Sequence, residues 1–291
     1  MFYRQKLILG LLQTFEGQLD NIDFQKYLFL YNSICYAKDK ALFDFVPYKY
    51  GCFSFQSYED IRNLRENGFL DSSKMALKKT DVDFLSALTK DDQKKLAYFK
   101  QQFGSKRGRD LIRYVYEKYP YYTMNSEIFD KIIPNCRRYV IKNKDEEGLF
   151  TIGYEAKSID TYINELIRNN IKLVCDVRKN PLSRKYGFSQ KTLATLLKAV
   201  NINYLHIPEL GIESDKRENL KSQADYDRLF DEYEKTTLLR ADKHLNKILN
   251  LIKENKRIAL TCFEKEPCMC HRTRVANALV GKSRGLKLEH I

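Results

Sequence analysis

Two kinds of apolar periodicity divide the chain. In the first half, apolar residues recur mostly at helical spacing. Residues 6–12 carry one such pattern. Asp23 precedes a second over residues 24–36, with Phe24, Tyr27, Leu28 and Tyr31 on one face and the aspartate as expected N-cap. The stretch 43–55 breaks the period. Its alternating aromatics around Pro47 and Gly51 predict a short hairpin. Helical spacing resumes over 57–67 and closes at Gly68. Residues 82–134 predict linking helices, one capped by Thr89 or Asp91 and ended by Gly104.

The second half alternates short apolar runs with amphipathic segments. Strands are expected at 149–152, 171–175, 202–205 and 257–261. Helices are expected at 158–168, 189–200, 225–238, 242–252 and 273–280. Runs of Ile, Leu and Val without alternation suit parallel strands buried on both faces. The fold class that follows is α/β: a mainly parallel, Rossmann-like sheet in the C-terminal domain, preceded by a mostly helical domain. The charged stretch from Lys142 to Gly148 marks the seam. The expected domains are therefore 1–80, a helical linker region 81–147, and an α/β domain 148–291.

Charge and cysteine content narrow the class. The formal net charge is +13, shared between both halves, so an acidic partner is expected, nucleic acid first. No apolar run approaches the roughly 18 residues that span a bilayer, and the first residues do not form a signal-peptide core. A cytoplasmic protein with no membrane partner is expected. Seven cysteines without framework spacing read as reduced thiols.

The residues that follow each expected strand are the candidate chemistry. They are Gly153 and Tyr154; Asp176 and Arg178; His206, Pro208 and Glu209; and Cys262 and Glu264. Strand tips of a parallel sheet share one edge, so these polar groups converge there. The turn from Cys262 to Arg272 adds Cys268, Cys270, His271 and Arg272 just ahead of a helix, where free N–H groups favour anions. Asp176, Arg178, Glu264 and His271 are the candidate catalytic groups. Tyr154, Arg184, His206, Glu209, Cys262, Cys270 and Arg272 are the candidate substrate contacts.

Four motifs occur in order: Thr151-Ile-Gly-Tyr154, Cys175-Asp-Val-Arg178 with Pro181, Ser183 and Arg184, His206-Ile-Pro-Glu-Leu-Gly211, and the Cys262 to Arg272 block. Residues 149–282 resemble the DUF488 family on these motifs. The family's usual Gly-His after the first strand is Gly-Tyr here. The resemblance implies an α/β fold and this site, and no particular reaction. Residues 3–70, with the Val46-Pro-Tyr-Lys-Tyr-Gly-Cys-Phe-Ser54 segment, resemble the winged helix-turn-helix modules of phage-defence and toxin–antitoxin proteins. That resemblance implies DNA contact, with Gln56, Ser57, Arg62, Asn63 and Arg65 as candidate base-edge donors. Arg107, Arg109 and Arg113 form a basic cluster for phosphate. The other reading of this half is a helical domain that packs on the enzyme or forms a homodimer.

Three motif readings compete at the cysteine turn. Cys262-x-Glu264 with Pro267-Cys268-x-Cys270 echoes zinc deaminases, but its halves are too close together. Cys262, Cys268, Cys270, His271 and the distant His206 are ligand types for zinc, but one-residue spacing between cysteines is poor for a structural site and no second Cys-x-x-Cys exists, so no metal and no cofactor is expected. Cys268 to Arg274 fits a Cys-x5-Arg phosphate loop without its glycine. The expected function is an enzyme directed to DNA that acts on a plain or modified base or nucleotide by N-glycosidic cleavage, in phage defence or repair. One alternative is a thiol-dependent phosphatase or rhodanese-like sulfur transferase centred on Cys268. The other is a DNA-binding regulator with a ligand-sensing α/β domain.

Overall fold

The computed structural model describes residues 1–37, 40–78, 82–141, 146–213, 215–217, 220 and 222–291. These form two compact units, Met1–Val140 and Ile141–Ile291. Most of the charged seam, residues 142–145, lies outside the described residues. Among the described residues no helix is long and apolar enough to cross a membrane.

The first unit is helical. It contains α1 (Tyr3–Thr14), α2 (Asn21–Cys35), α3 (Phe55–Glu66), α4 (Lys90–Phe103), α5 (Gly108–Lys118) and the short α6 (Phe129–Ile132). Residues 82–140 are part of this body and not a separate linker. Leu96 and Phe99 of α4 and Leu111 and Val115 of α5 join the same buried cluster as α1 and α2. Phe15, Tyr27, Tyr31 and Phe99 meet ring to ring at its centre. Thr89 caps α4, its hydroxyl accepting the Asp92 N–H at 3.2 Å, and Gly104 ends the helix. The expected cap at Asp23 is corrected. Asp20 holds the N-cap position, and Asp23 lies in the first turn, buried, accepting the Gly108 N–H at 3.0 Å. A carboxylate suits both positions, so the sequence does not separate them.

The aromatic stretch forms the expected hairpin, β2 (Val46–Tyr48) against β3 (Gly51–Phe53). It lies between α2 and α3, ahead of α3. Behind α3, β4 (Met75–Ala76) pairs antiparallel with β1 (Gln18–Leu19), and Leu70 bridges Leu77.

The second unit is α/β. Its strands are β5 (Gly148–Gly153), β6 (Leu173–Asp176), β7 (Asn203–His206), β8 (Arg257–Cys262) and β9 (Lys287–His290). All pair in parallel, in the order β7-β6-β8-β5-β9. Four were expected; β9 adds a fifth at the edge beside β5. Its half-exposed Lys-Leu-Glu-His pattern carries little apolar signal. The helices are α7 (Ile159–Arg168), α8 (Gln190–Ala199), α9 (Gln223–Tyr233), which runs on into a π turn over Glu234–Leu238, α10 (Asp242–Asn255) and α11 (His271–Lys282). Ser158 caps α7 through the Thr161 N–H, and Ile159, Tyr162, Ile163 and Leu166 bury its inner stripe. Leu173, Cys175, Ile258 and Leu260 pack with α9, α10 and α11 in one cluster.

The topology decides where a ligand can go. From β6 the chain steps outward to β7; from β8 it crosses past β5 to β9, the opposite way. The strand order therefore reverses around β8, and open parallel sheets bind ligands outside the carboxyl ends at such a point.

Candidate active site at the strand tips

Register brings the expected tips to one edge. Gly153 pairs with Cys262, and Asp176 pairs with both Thr261 and His206. Side chains alternate along each strand, so Cys262, two residues past Leu260, lies on the α9–α11 face. Asp176 shares the opposite face with Thr261, whose hydroxyl meets Tyr162 of α7 at 2.9 Å. One edge thus carries two clusters, one on each face.

The first cluster is a closed ion pair. Asp176 and Arg178 are both buried. Arg178 Nε donates to the two carboxylate oxygens at 2.8 and 3.1 Å, and Nη2 donates to Oδ2 at 2.5 Å. The Arg178 N–H and the Tyr204 hydroxyl donate to the same carboxylate at 3.1 and 2.7 Å. Nη1 is spent on the Tyr154 hydroxyl at 2.8 Å and the Phe188 carbonyl at 3.0 Å. Burial opposes charge on Arg178, yet the carboxylate holds its pKa above the ordinary value. Burial likewise raises Tyr204 and Tyr154, for which ionisation beside Asp176 or in a dry site is unfavourable. Tyr154 stacks on Phe188 at 4.3 Å and meets Phe263 edge-on. His206 Nε2 sits 2.8 Å from the Arg178 carbonyl, so that ring fixes the loop after β6.

The second cluster lies between the end of β8 and the start of α11. Cys262, Cys270, His271 and Arg272 are each 1% exposed or less. Glu264 is half-buried, its Oε2 3.2 Å from Cys262 Sγ. His271 Nδ1 lies 3.8 Å from the same sulfur, and its Nε2 lies 2.9 Å from the Val177 carbonyl. Burial pushes the Cys270 thiol well up, and the neighbouring Cys262 adds to this. Arg272 donates to the carbonyls of Glu264 and of Lys265, the latter at 2.9 Å, which pins the turn that carries Glu264. Gly153 makes this possible, because a Cβ there would meet the Glu264 carbonyl at 1.9 Å. Cys262, Cys270 and His271 are the group whose donor atoms could hold a metal.

Beside the first cluster lies a cleft of about 280 Å³. Tyr154, Arg178, Lys179, Asn180, Leu182, Ser183, Ile212 and Phe263 line it. Leu182 stands at its rim 84% exposed, and Phe263 is 44% exposed. Lys179, Asn180, Leu182 and Phe263 were not singled out in the sequence. Each directly adjoins a motif, and that adjacency was the available signal. Tyr204 was also missed. It is two residues before His206, on the face it shares with Asp176, so strand alternation alone points to it.

Other expected contacts lie elsewhere. Glu209 is exposed, 3.7 Å from His244, and lines a separate cleft with Lys216 and Glu232. Arg184 is exposed on the loop after Leu182, and Cys268 is exposed in the turn before α11. In the first unit, Ser57 is buried and its hydroxyl donates to the Ser54 carbonyl. Arg62 pairs with Glu59 and Glu66, Arg65 donates to the Asp71 carbonyl at 3.2 Å, and Gln56 is half-buried. Arg107 lies over the rings of Phe15 and Tyr27, Arg109 donates to the Lys131 carbonyl at 2.9 Å, and Arg113 donates to that of Ile132 at 3.1 Å.

No curated protein and no solved structure matches the chain. Residues 158–279, which run from the cap of α7 into α11 and include the second cluster and all of the first except Tyr154, match the family model described as "Domain of unknown function DUF488". The C-terminal unit therefore carries a domain of the DUF488 family.

Proposed function

We propose that the C-terminal unit is an enzyme that acts on a base or nucleotide of DNA and cleaves its N-glycosidic bond. One observation carries the reading: the strand-tip cleft. Its volume suits a single base, and it combines an exposed phenylalanine ring, an asparagine amide, a lysine and a guanidinium. A base taken out of the stack needs an aromatic face, edge donors and acceptors, and cations for the attached phosphate. Exposed Leu182 is the right kind of group to fill the gap that the base leaves.

Glu264, next in the chain to the cleft residue Phe263, is taken as the reacting carboxylate. Hydrolysis breaks the C1′–N bond, water adds to C1′, and Glu264 takes the proton from that water. Lys179 at the cleft favours the negative charge on the departing base. Asp176 holds Arg178 and does not touch substrate. His271 anchors the loop after β6 through the Val177 carbonyl. The excess of basic residues along the chain favours a polyanion as the carrier of that base. The helical first unit, by the order of its elements around α3, would supply further DNA contact.

A second reading, thiol chemistry at Cys268, is favoured by that thiol's exposure just before α11. The test is incubation with plain and base-modified single- and double-stranded DNA, followed by mass spectrometry. Release of a free base by the wild type and by Cys268→Ser, and its loss in Glu264→Gln, is the expected result. Turnover that stops only in Cys268→Ser supports the thiol reading. Binding without any mass change supports a regulator.

A further inference from the structure

The sequence argued against a metal because Cys268 and Cys270 are one residue apart. The fold groups three of the five candidates, without Cys268. Cys262 comes from the end of β8, Cys270 and His271 from the start of α11, and Cys268 is exposed. The two Sγ atoms and the imidazole nitrogen all lie within 4.8 Å of one another, and all three residues are buried.

We propose that Cys262, Cys270 and His271 hold a zinc ion, with its fourth corner left to water beside Glu264. Tetrahedral zinc, with sulfur at about 2.3 Å and nitrogen at about 2.0 Å, sets its sulfur and nitrogen ligands about 3.5 Å apart. Cys262 Sγ and His271 Nδ1 are 3.8 Å apart. The histidine is already oriented for the role. A backbone carbonyl only accepts, so the 2.9 Å contact with Val177 O places the proton on Nε2 and turns the Nδ1 lone pair toward Cys262. Metal-bound histidines are held by this same outer contact. Thiolates with an imidazole form a donor set that selects zinc over magnesium or calcium.

Charge is compatible with the same assignment. Arg272 is 1% exposed, and its Nε has no partner among the described residues. Two thiolates neutralise a divalent ion, so the metal would add no net charge near the buried guanidinium. The site would then tie the end of β8 to the start of α11 through one ion. It does not depend on the reaction proposed above, because Glu264→Gln leaves all three ligands in place.

The test uses the full chain under reducing conditions. Elemental analysis should find about one zinc per chain. Metal-stripped protein titrated with cobalt(II) alone should develop thiolate charge-transfer absorption and intense tetrahedral visible bands, saturating at one equivalent. Cys268→Ser and Glu264→Gln should keep this stoichiometry. Cys270→Ser and His271→Ala should bind at least ~10-fold more weakly. Wild-type protein that holds no zinc and shows no cobalt bands overturns the proposal, whatever the variants do. Loss of the bands in Cys268→Ser overturns the assignment of ligands.

Discussion

The two clusters at the sheet edge differ in how their polar groups are satisfied. Around Asp176, both carboxylate oxygens and nearly every N–H of Arg178 are spent on partners within the fold. Around Cys262, two thiols, an imidazole and a carboxylate crowd together while a buried guanidinium nitrogen has no partner among the described residues. A closed network holds shape, because every change in it exposes an unpaired charge. A group of donors gathered at greater cost than packing requires is where a ligand or a reaction is expected. Residue type alone does not distinguish the two, since an aspartate, a glutamate and an arginine look equally reactive in a sequence.

The largest expected effect is on the closed cluster. Asp176→Ala leaves Arg178 buried without its carboxylate, which costs on the order of 3–5 kcal/mol. Urea unfolding should show this as a lower midpoint at unchanged slope. A loss below about 0.5 kcal/mol would mean that the pair is not the brace described here. Tyr204→Phe removes one bond to the same carboxylate and should cost about 1.5 kcal/mol, placing it between Asp176→Ala and the wild type.

A third carboxylate extends the comparison into the first unit. Burial alone would raise Asp92, but the hydroxyls of Tyr3, Tyr36, Tyr31 and Thr89 outweigh it and hold the group below its ordinary value. A lowered folded-state pKa contributes stability that is present above the unfolded value, about 3.9. That stability is lost as pH falls through the folded value. Asp92→Asn should therefore flatten the acid limb of the stability profile of the first unit's transition. A wild-type profile that does not fall in that range would show that the hydroxyl shell does not bind the charged form.

The smallest effect on stability, and the sharpest on function, belongs to the rim. Leu182 is exposed, so Leu182→Ala should change unfolding by less than about 0.5 kcal/mol. Its effect should appear as slower base release from duplex than from single-stranded DNA. Equal slowing on both substrates would remove the wedge from the account.

The sheet was legible because four apolar runs each ended in polar residues, and parallel pairing forces such ends together. The helix stripes and the cap at Thr89 were legible for the same local reason. What was not legible depends on face and depth. Cys262 and Asp176 both end strands, and only register shows that they project to opposite sides. Arg272 reads as a surface cation at a helix start, yet it is buried because Gly153 lets the turn after β8 close over it. The metal-compatible group was set aside on spacing, a rule that applies to ligands from one loop and not to a strand end facing a helix start. The strand β9 and the packing of α4 and α5 into the first unit rest on long-range contacts with little local pattern.

One paired measurement tests the division of the site most directly. Asp176→Asn and Glu264→Gln are compared for thermal midpoint and for base released from the DNA panel. The account predicts that Asp176→Asn loses stability, and that Glu264→Gln keeps the wild-type midpoint while losing release. A stable Asp176→Asn that has lost release, beside a Glu264→Gln that still releases base, would contradict it and return the chemistry to the aspartate.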